Sequence, residues 1–317
     1  LTLNPLTQTG GHYLVTGGAG FVGSHLVDRL IGAGHDVTVL DDLSTGSRDN
    51  VNPKARLIAG DVRDADKLAG LIAEAQGCFH LAAIASVQQC NKSWSDSHAV
   101  NLTAYVRLLE CVGRRKGGVI PVVYASSAAI YGDTSTFPVH EDLPPRPISV
   151  YGADKAGGEL HAHAAGRMRG IPTFGLRPFN IYGPRQQPGS PYSGVITVFA
   201  EQLKRDAPLT IFGDGKQTRD FIYVGDVVTH FMAAMGKTSA EAPICNVATG
   251  KETSVLDLAH KLCATFGRAP NINFAAARPG DILRSVADTY RALTLLGCKA
   301  ETPMEQGLSF LRGAESA

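Results

Sequence analysis

Residues 16–23 read TGGAGFVG and sit between an apolar run, His12–Thr16, and an amphipathic stretch near 21–33. Gly17, Gly20 and Gly23 form a GxxGxxG pattern, and Gly18, Gly20 and Gly23 also satisfy GxGxxG. A strand that turns into a helix through such a loop lets the backbone approach a pyrophosphate that side chains would hold off. The helix start then offers free N–H groups and a positive dipole end to the phosphates. Asp41 ends the next expected strand, where a carboxylate accepts both ribose hydroxyls and repels a 2′-phosphate, favouring NAD over NADP. Asp42 adds charge of the same sign, while Arg48 nearby pulls the other way. Asp61, in GDV after the third expected strand, is a candidate acceptor for the adenine amino group.

The rest of the first half repeats the strand–helix alternation. Strands are expected at His12–Thr16, Asp36–Leu40, Ala55–Ala59, Gly77–Leu81, Val119–Ala125 and Ile171–Arg177, and helices near 21–33, 64–75, 97–115 and 151–169. Strands with apolar residues on both alternating faces suit a parallel sheet covered by helices on both sides. The expected fold is α/β: a Rossmann-type doubly wound parallel sheet over residues 1–177, with a smaller mixed α/β substrate-binding cap over 178–317. Segments at about 225–260 are expected to return to the first domain. Beyond Pro178 come a long loop at 183–194, helices near 195–206, 225–236 and 254–266, and a strand at Ile244–Val247. Ala275–Gly280 reads as a loop, and 307–317 as a tail that frays after a short helix.

Composition narrows the function classes. The chain of 317 residues carries 30 Lys+Arg against 29 Asp+Glu, a net charge of +1, with 44% hydrophobic and 19% charged residues. A balance so near zero lacks the basic surface that nucleic-acid binding requires. Apolar content this high at low net charge argues against disorder. The cysteines, Cys78, Cys90, Cys111, Cys245, Cys263 and Cys298, form no CxxC pair and no zinc spacing with histidine, so no metal is expected. No apolar run reaches the length of a membrane span, and the first residues carry no signal-peptide pattern. The expected compartment is the cytoplasm. The chain starts at Leu1 rather than Met, and a trimmed start is expected.

Tyr151 and Lys155 form YxxxK, which on a helix places both side chains on one face. The ammonium, helped by an oxidised nicotinamide, is expected to favour phenolate and lower the tyrosine pKa. Ser127, at the carboxyl end of the fifth expected strand, supplies a hydroxyl to hold a substrate alcohol; ligands bind at that end of such sheets. Tyr131 lacks a cation at helical spacing and reads as structural or substrate-lining.

TGGAGFVG, Asp41, GDV at 60–62, HLAA at 80–83, Asn101, SSAAIYG at 126–132 and YGADK at 151–155 together resemble the extended short-chain dehydrogenase/reductase superfamily. RPFNIYGPR (177–185), FGDGKQTRDFIYVGDV (212–227) and RPGD (278–281) resemble its NAD-dependent epimerase/dehydratase members, and among these the UDP-glucose 4-epimerase type, including forms acting on N-acetylhexosamines. The likeness spans about residues 12–310. It implies that Phe21 and Val22 line the pyrophosphate, and that Asp41, Asp42, Leu43, Ser44, Thr45 and Gly46 surround the adenosine ribose. Asp61 and Val62 would meet adenine; Leu81, Ala82, Ala83 and Ala85 would line the path to nicotinamide, with Asn101 also on the cofactor. By the same likeness Ser127 binds the sugar hydroxyl, Tyr151 is the acid–base and Lys155 binds the nicotinamide ribose. Phe179, Asn180, Val195, Arg219, Arg278 and Asp281 would hold the UDP-sugar, and Thr210, Ile211 and Phe212 would flank uracil. A homodimer through the helices near 97–115 and 151–169 is likewise implied.

RPF replaces the RYF of many members at Pro178, which removes no catalytic group. Ala128 and Ala129 stand where sugar 4,6-dehydratases carry an acidic pair, and alanine transfers no proton. Ser285 occupies a position where a tyrosine restricts such enzymes to plain hexoses, and a small residue there admits an N-acetyl group. The function implied is NAD-dependent 4-epimerisation of a UDP-hexose or UDP-N-acetylhexosamine through a 4-keto intermediate. Arg185 keeps a UDP-glucuronate 4-epimerase or decarboxylase open as an alternative. A non-catalytic NAD-binding sensor is the alternative of another class; retention of Ser127, Tyr151 and Lys155 argues against it.

Overall fold

Strands that are apolar on both faces need helices above and below, and this chain puts them there. The computed structural model describes residues 10–187, 194–278 and 282–313. In chain order the first half runs β1 (His12–Thr16), α1 (Phe21–Gly32), β2 (Asp36–Asp41), β3 (Arg56–Ala59), α2 (Ala65–Glu74), β4 (Gly77–His80), α3 (Val87–Lys92), α4 (Trp94–His98), α5 (Ala104–Gly113), β5 (Val122–Ala125), α6 (Val150–Arg169) and β6 (Thr173–Pro178). The second half runs β7 (Asn180–Tyr182), α7 (Val195–Lys204), β8 (Leu209–Phe212), β9 (Thr218–Arg219), β10 (Phe221–Tyr223), α8 (Val224–Met235), β11 (Ile244–Val247), β12 (Thr253–Ser254), α9 (Val255–Phe266), β13 (Ile272–Ala275), α10 (Tyr290–Leu296) and α11 (Met304–Arg312).

The central sheet has seven strands in the order β11-β6-β5-β4-β1-β2-β3, and every neighbouring pair is parallel. Alternation along β1 sends Tyr13 and Val15 into one core with α1 and α8, and Leu14 into another with α2 and α5. The strand order reverses between β1 and β4, so a crevice opens at their carboxyl ends, where doubly wound sheets bind ligands. A third core, centred on Phe199, Ile211, Leu258, Leu262 and Leu308, builds the cap. The cap's strands pair as β7 with β10, β8 with β13 and β9 with β12. Helix α8 and strand β11 pack with the first core, whereas β12 and α9 belong with the cap.

Several boundaries differ from expectation for local reasons. β5 starts at Val122 rather than Val119 because Gly117 and Gly118 take positive φ and Pro121 has no N–H to donate. β6 starts after Pro172 for the same reason. The helix expected over 97–115 is broken: α4 passes through a π-helical turn, Ala99–Thr103, into α5, which ends at Gly113. Ala275, expected in a loop, closes β13, and of that loop 279 and 280 lie outside the described residues. The expected fraying from 307 does not occur as far as Arg312, because Leu308 and Leu311 are buried in the cap core and hold α11.

Helix α6 carries the YxxxK residues. Ser149 caps its start by accepting from the Gly152 N–H, and Gly170 ends it in the left-handed conformation. Gly152 brings the helix against the short turn Ala128–Tyr131; a Cβ there would stand 2.5 Å from the Ala129 carbonyl oxygen. That close approach sets Tyr151 beside the end of β5.

Candidate active site

A cleft of about 1150 Å³ runs across the carboxyl ends of β1, β4 and β5 and continues under the cap. That exceeds the usual space of a single small ligand, so two can lie end to end. Gly17, Gly20, Phe21, Val22 and Gly23 line it where α1 begins. The glycines have different duties. Gly17 takes φ +73°, and a Cβ on it would lie 2.7 Å from the Ala82 nitrogen; a Cβ on Gly23 would lie 2.1 Å from the Gly17 carbonyl oxygen. Both are demanded by backbone packed on backbone. Gly20, at the N-cap of α1, meets only the Gly17 carbonyl at 3.2 Å, so it is the glycine that keeps the helix start open to an anion. A loop of this shape fits a dinucleotide pyrophosphate.

The next stretch of the cleft is acidic. Asp41 is buried, and its two oxygens accept from Ala19 N–H and Leu43 N–H, each at 2.9 Å. Burial raises its pKa and those N–H groups partly offset the rise. Asp42, Ser44 and Thr45 line the cleft, with Ser44 N and Oγ both donating to Asp42 Oδ1. Leu43 and Gly46 do not line it: Leu43, at φ +60°, closes the turn onto Asp41, and Gly46 packs beneath the same carboxylate. Val62 lines the cleft and Asp61 does not. Instead Arg63 Nε donates to both Asp61 oxygens, at 3.0 and 2.9 Å, which holds that carboxyl below its usual range and makes Arg63 the lining residue.

Leu81, Ala82, Ala83 and Ala85 line the cleft after β4. Asn101, expected on the cofactor, is buried in the π-helical turn and does not line it. Its Oδ1 accepts from Ile84 N–H at 2.8 Å and its Nδ2 donates to the Ile84 carbonyl at 3.2 Å, so it braces this wall. His80 also works from behind. It shares a 2.8 Å hydrogen bond with the Thr16 hydroxyl, stacks on Tyr105, and is pushed down to about 3 by burial and then by the charge of Lys155.

Ser127, Tyr151 and Lys155 face the same cleft. The Tyr151 hydroxyl is hydrogen-bonded to the Ser127 side chain, which also accepts from Ala129 N–H at 3.1 Å. Lys155 Nζ donates to the Ala125 carbonyl at 2.7 Å and lies 5.6 Å from the centre of the Tyr151 ring. The ammonium by itself does not lower Tyr151 in this geometry. Burial pushes the phenol up to about 12, with the Ser127 hydrogen bond acting against the rise. Desolvation wins because the ammonium points at the Ala125 carbonyl rather than at the phenol oxygen. The same burial brings Lys155 down to about 8.

Tyr131 is tied into a buried network: it donates to Asn246 Oδ1 at 2.6 Å and accepts from Arg177 Nη1 at 2.7 Å. Arg177 forks onto Glu159, whose Oε1 also accepts from the Ser126 hydroxyl at 2.5 Å. Glu159 stands one helical turn beyond Lys155, so this network fastens α6 to the ends of β5 and β6.

Under the cap, Phe179, Asn180, Val195, Thr210, Ile211, Phe212, Arg219 and Arg278 all line the cleft. Arg278 lies 3.9 Å over the Phe212 ring, and Arg219 Nη1 donates to the carbonyls of Thr218 and Ile282. Ser285 is half-buried and off the lining, and Asp281 lies outside the described residues. Ser86, Gln89, Asp96, Gln186, Gln187 and Gln217 also line the cleft, though none was assigned a role from the sequence. Gln187 donates to the Thr45 carbonyl at 2.6 Å, and Arg185 pairs with Asp28 of α1 at 2.8 Å, so the loop after β7 crosses to the glycine-loop side. Among the described residues no group of three or more His, Cys, Asp or Glu is placed to hold a metal ion, and no helix is long and apolar enough to cross a membrane.

The profile of the NAD dependent epimerase/dehydratase family matches residues 13–248. A UDP-glucose 4-epimerase of Mycolicibacterium smegmatis is 38% identical over 304 residues, covering 93% of this chain and 96% of that protein. The crystal structure of a UDP-glucose 4-epimerase from Thermotoga maritima with UDP-glucose superimposes with a TM-score of 0.90 at 35% identity, over 95% of this chain and 97% of that one. A UDP-N-acetylglucosamine 4-epimerase from Methanobrevibacter ruminantium, in complex with UDP-N-acetylmuramic acid, gives 0.91 at 32% identity, over 96% of this chain and 97% of that one.

Proposed function

The chain belongs to the NAD-dependent epimerase/dehydratase family, and from that premise we propose that it is a UDP-sugar 4-epimerase, an isomerase acting on a UDP-hexose or UDP-N-acetylhexosamine. The observation that carries the reading is the Tyr151 phenol, hydrogen-bonded to Ser127 with Lys155 one turn on, facing the cleft onto which the α1 N-terminus opens. The α1 start and Gly20 hold the NAD pyrophosphate, Asp41 the adenosine ribose, and Lys155 the nicotinamide ribose. When bound, NAD supplies the acceptor and later the donor of the C4 hydride, and in oxidised form a positive charge near the phenol.

The residues do the rest. Ser127 orients the sugar 4-hydroxyl, and Tyr151 takes its proton as C4 becomes a ketone. The nucleotide, gripped by Arg219, Arg278 and the Thr210–Phe212 strand, anchors the sugar from a distance, which leaves the sugar ring free to turn over. Tyr151 then returns the proton on completion, with C4 inverted.

A neutral sugar fits the charges best. Arg185, the cation that a uronate would recruit, is already paired with Asp28. Ser285 stands off the cleft lining, so its side chain sets no limit on an N-acetyl group. Leu160 and Met168 on α6 and Trp94 on α4 are exposed, the apolar surface a homodimer through these helices would cover. A cytoplasmic site of action completes the reading.

Incubation with UDP-glucose, UDP-GlcNAc and UDP-glucuronate, with products resolved by NMR, tests it. Expected is interconversion of gluco and galacto forms of a neutral sugar without net NADH. Turnover of UDP-glucuronate alone would make the enzyme a uronate epimerase or decarboxylase, and no turnover of any of the three would favour a non-catalytic NAD-binding protein. Asp41→Asn should weaken NAD binding by about 10-fold or more, the worth of one hydrogen bond to a charged group, and narrow the preference over NADP. Cofactor occupancy after dialysis against each dinucleotide measures both.

A further inference from the structure

The segment that follows β7 is fastened to the half of the molecule that holds the dinucleotide. His25 Nε2 donates to the Pro184 carbonyl at 3.0 Å, Arg185 Nη1 to Asp28 Oδ2 at 2.8 Å, and Gln187 Nε2 to the Thr45 carbonyl at 2.6 Å. Phe21, His25 and Asp28 fall at i, i+4 and i+7 of α1, so they share one face of that helix. Phe21 lines the cleft at the α1 start, and its ring meets His25 edge-on with 6.2 Å between centres. The segment therefore runs along the first two turns of α1 and then reaches over to the turn after β2. Arg185, Gln186 and Gln187 line the same cleft as Phe21, Val22, Ser44 and Thr45. Arg185 takes φ +64°, a left-handed conformation that a side chain disfavours and that fastening on both sides sustains. Thr197 Oγ1 donates to Gln186 Oε1 at 2.8 Å, which ties the segment to α7 of the cap as well.

We infer that residues 184–187 form a strap across the cleft between the pyrophosphate and ribose sites, and that its opening sets the rate at which NAD enters and leaves. The strap is anchored on α1 at one side and on the turn that Asp41 begins at the other, so a dinucleotide spanning these two elements lies beneath it. This rests on the cofactor placement given above and not on the identity of the sugar. The contacts join protein to protein and need no cofactor atom, so the strap is fastened before NAD arrives as well as afterwards. Retention suits a cycle that returns the hydride to the sugar, because cofactor lost between the two half-reactions would strand the ketone. The Arg185–Asp28 pair is about a third exposed on each side, so water and salt screen it and it works together with the other contacts.

The test measures NAD release from the holoenzyme in the absence of sugar. Protein loaded with radiolabelled NAD is chased with excess unlabelled NAD, and the label it retains is counted after rapid filtration. Arg185→Met and Gln187→Ala should each speed release by roughly threefold to fivefold, and together by about tenfold or more. Uptake of labelled NAD by protein stripped on charcoal should quicken by a similar factor, so Kd moves little, as for a barrier crossed in both directions. Asp28→Asn keeps an acceptor for Asn52 and removes the charge; it should match Arg185→Met, and combining the two should add nothing. Faster release in Arg185→Met but not in Asp28→Asn, or a weaker Kd with uptake unchanged, would mean that Arg185 holds the cofactor directly and would overturn the strap. Release unchanged in every variant would overturn it too. Because no sugar is present, this outcome is separate from the epimerase reading: a protein that converts no UDP-sugar can still show the faster release, and an active epimerase can fail to.

Discussion

Tyr151→Phe should lower kcat by about 10²- to 10⁴-fold, the range of a positioned general acid–base. The substitution removes one oxygen and leaves the ring, so the packing of α6 against the Ala128–Tyr131 turn survives. NAD occupancy should stay near that of the wild type, because the pyrophosphate loop and Asp41 lie elsewhere in the cleft. KM should change little, since the UDP end holds most of the binding energy. The raised phenol sharpens the expectation. A group at about 12 is protonated at neutral pH, so it is a ready acid and becomes a base only when a positive charge arrives beside it. The variant should therefore lose both half-reactions, oxidation of the sugar and its return. Rapid mixing of the variant with substrate should show no transient nicotinamide reduction at 340 nm. Retention of even a tenth of wild-type kcat would move the proton transfer to another group and remove the basis of the functional reading.

What could be read in advance was what lies on a single element. Gly17, Gly20 and Gly23, Asp41 at a strand end, and Tyr151 with Lys155 one turn apart are local patterns, and local geometry decides where such residues point. Apolar runs on both faces were enough to foresee the parallel sheet of the first half, β1 to β6. Contacts made across elements were not legible. Asn101 braces Ile84 only because a π-helical turn carries it under the cleft wall. Asp61 is engaged by Arg63, a neighbour whose direction depends on the turn after β3. The cap strands of two to four residues are too short to show a period, and their pairing joins segments far apart in the chain. The rise that burial gives the phenol was not legible either, because burial is a property of the packed cleft, whereas spacing reports only the neighbouring cation.

Glu159→Ala should reduce stability by about 3–5 kcal/mol, the cost of leaving a buried charge without its partner. Arg177 is 2% exposed and offers its fork to Glu159 at 2.8 and 2.6 Å. With the carboxylate gone it keeps the Tyr131 hydroxyl and the Glu141 carbonyl, neutral acceptors that do not balance a guanidinium. The Ser126 hydroxyl also loses its acceptor, next to Ser127, so turnover should fall along with stability. Paired replacement distinguishes a lost partner from lost packing. Glu159→Met combined with Arg177→Met removes both charges and fills much of the space, and it should cost less than the two single changes added together. Urea unfolding at one fixed, saturating NAD concentration measures all three variants on the same footing, because bound cofactor itself shifts the midpoint. Strictly additive costs would mean that Glu159 and Arg177 act independently, and that α6 is held to the sheet by its glycine-mediated packing rather than by this ion pair.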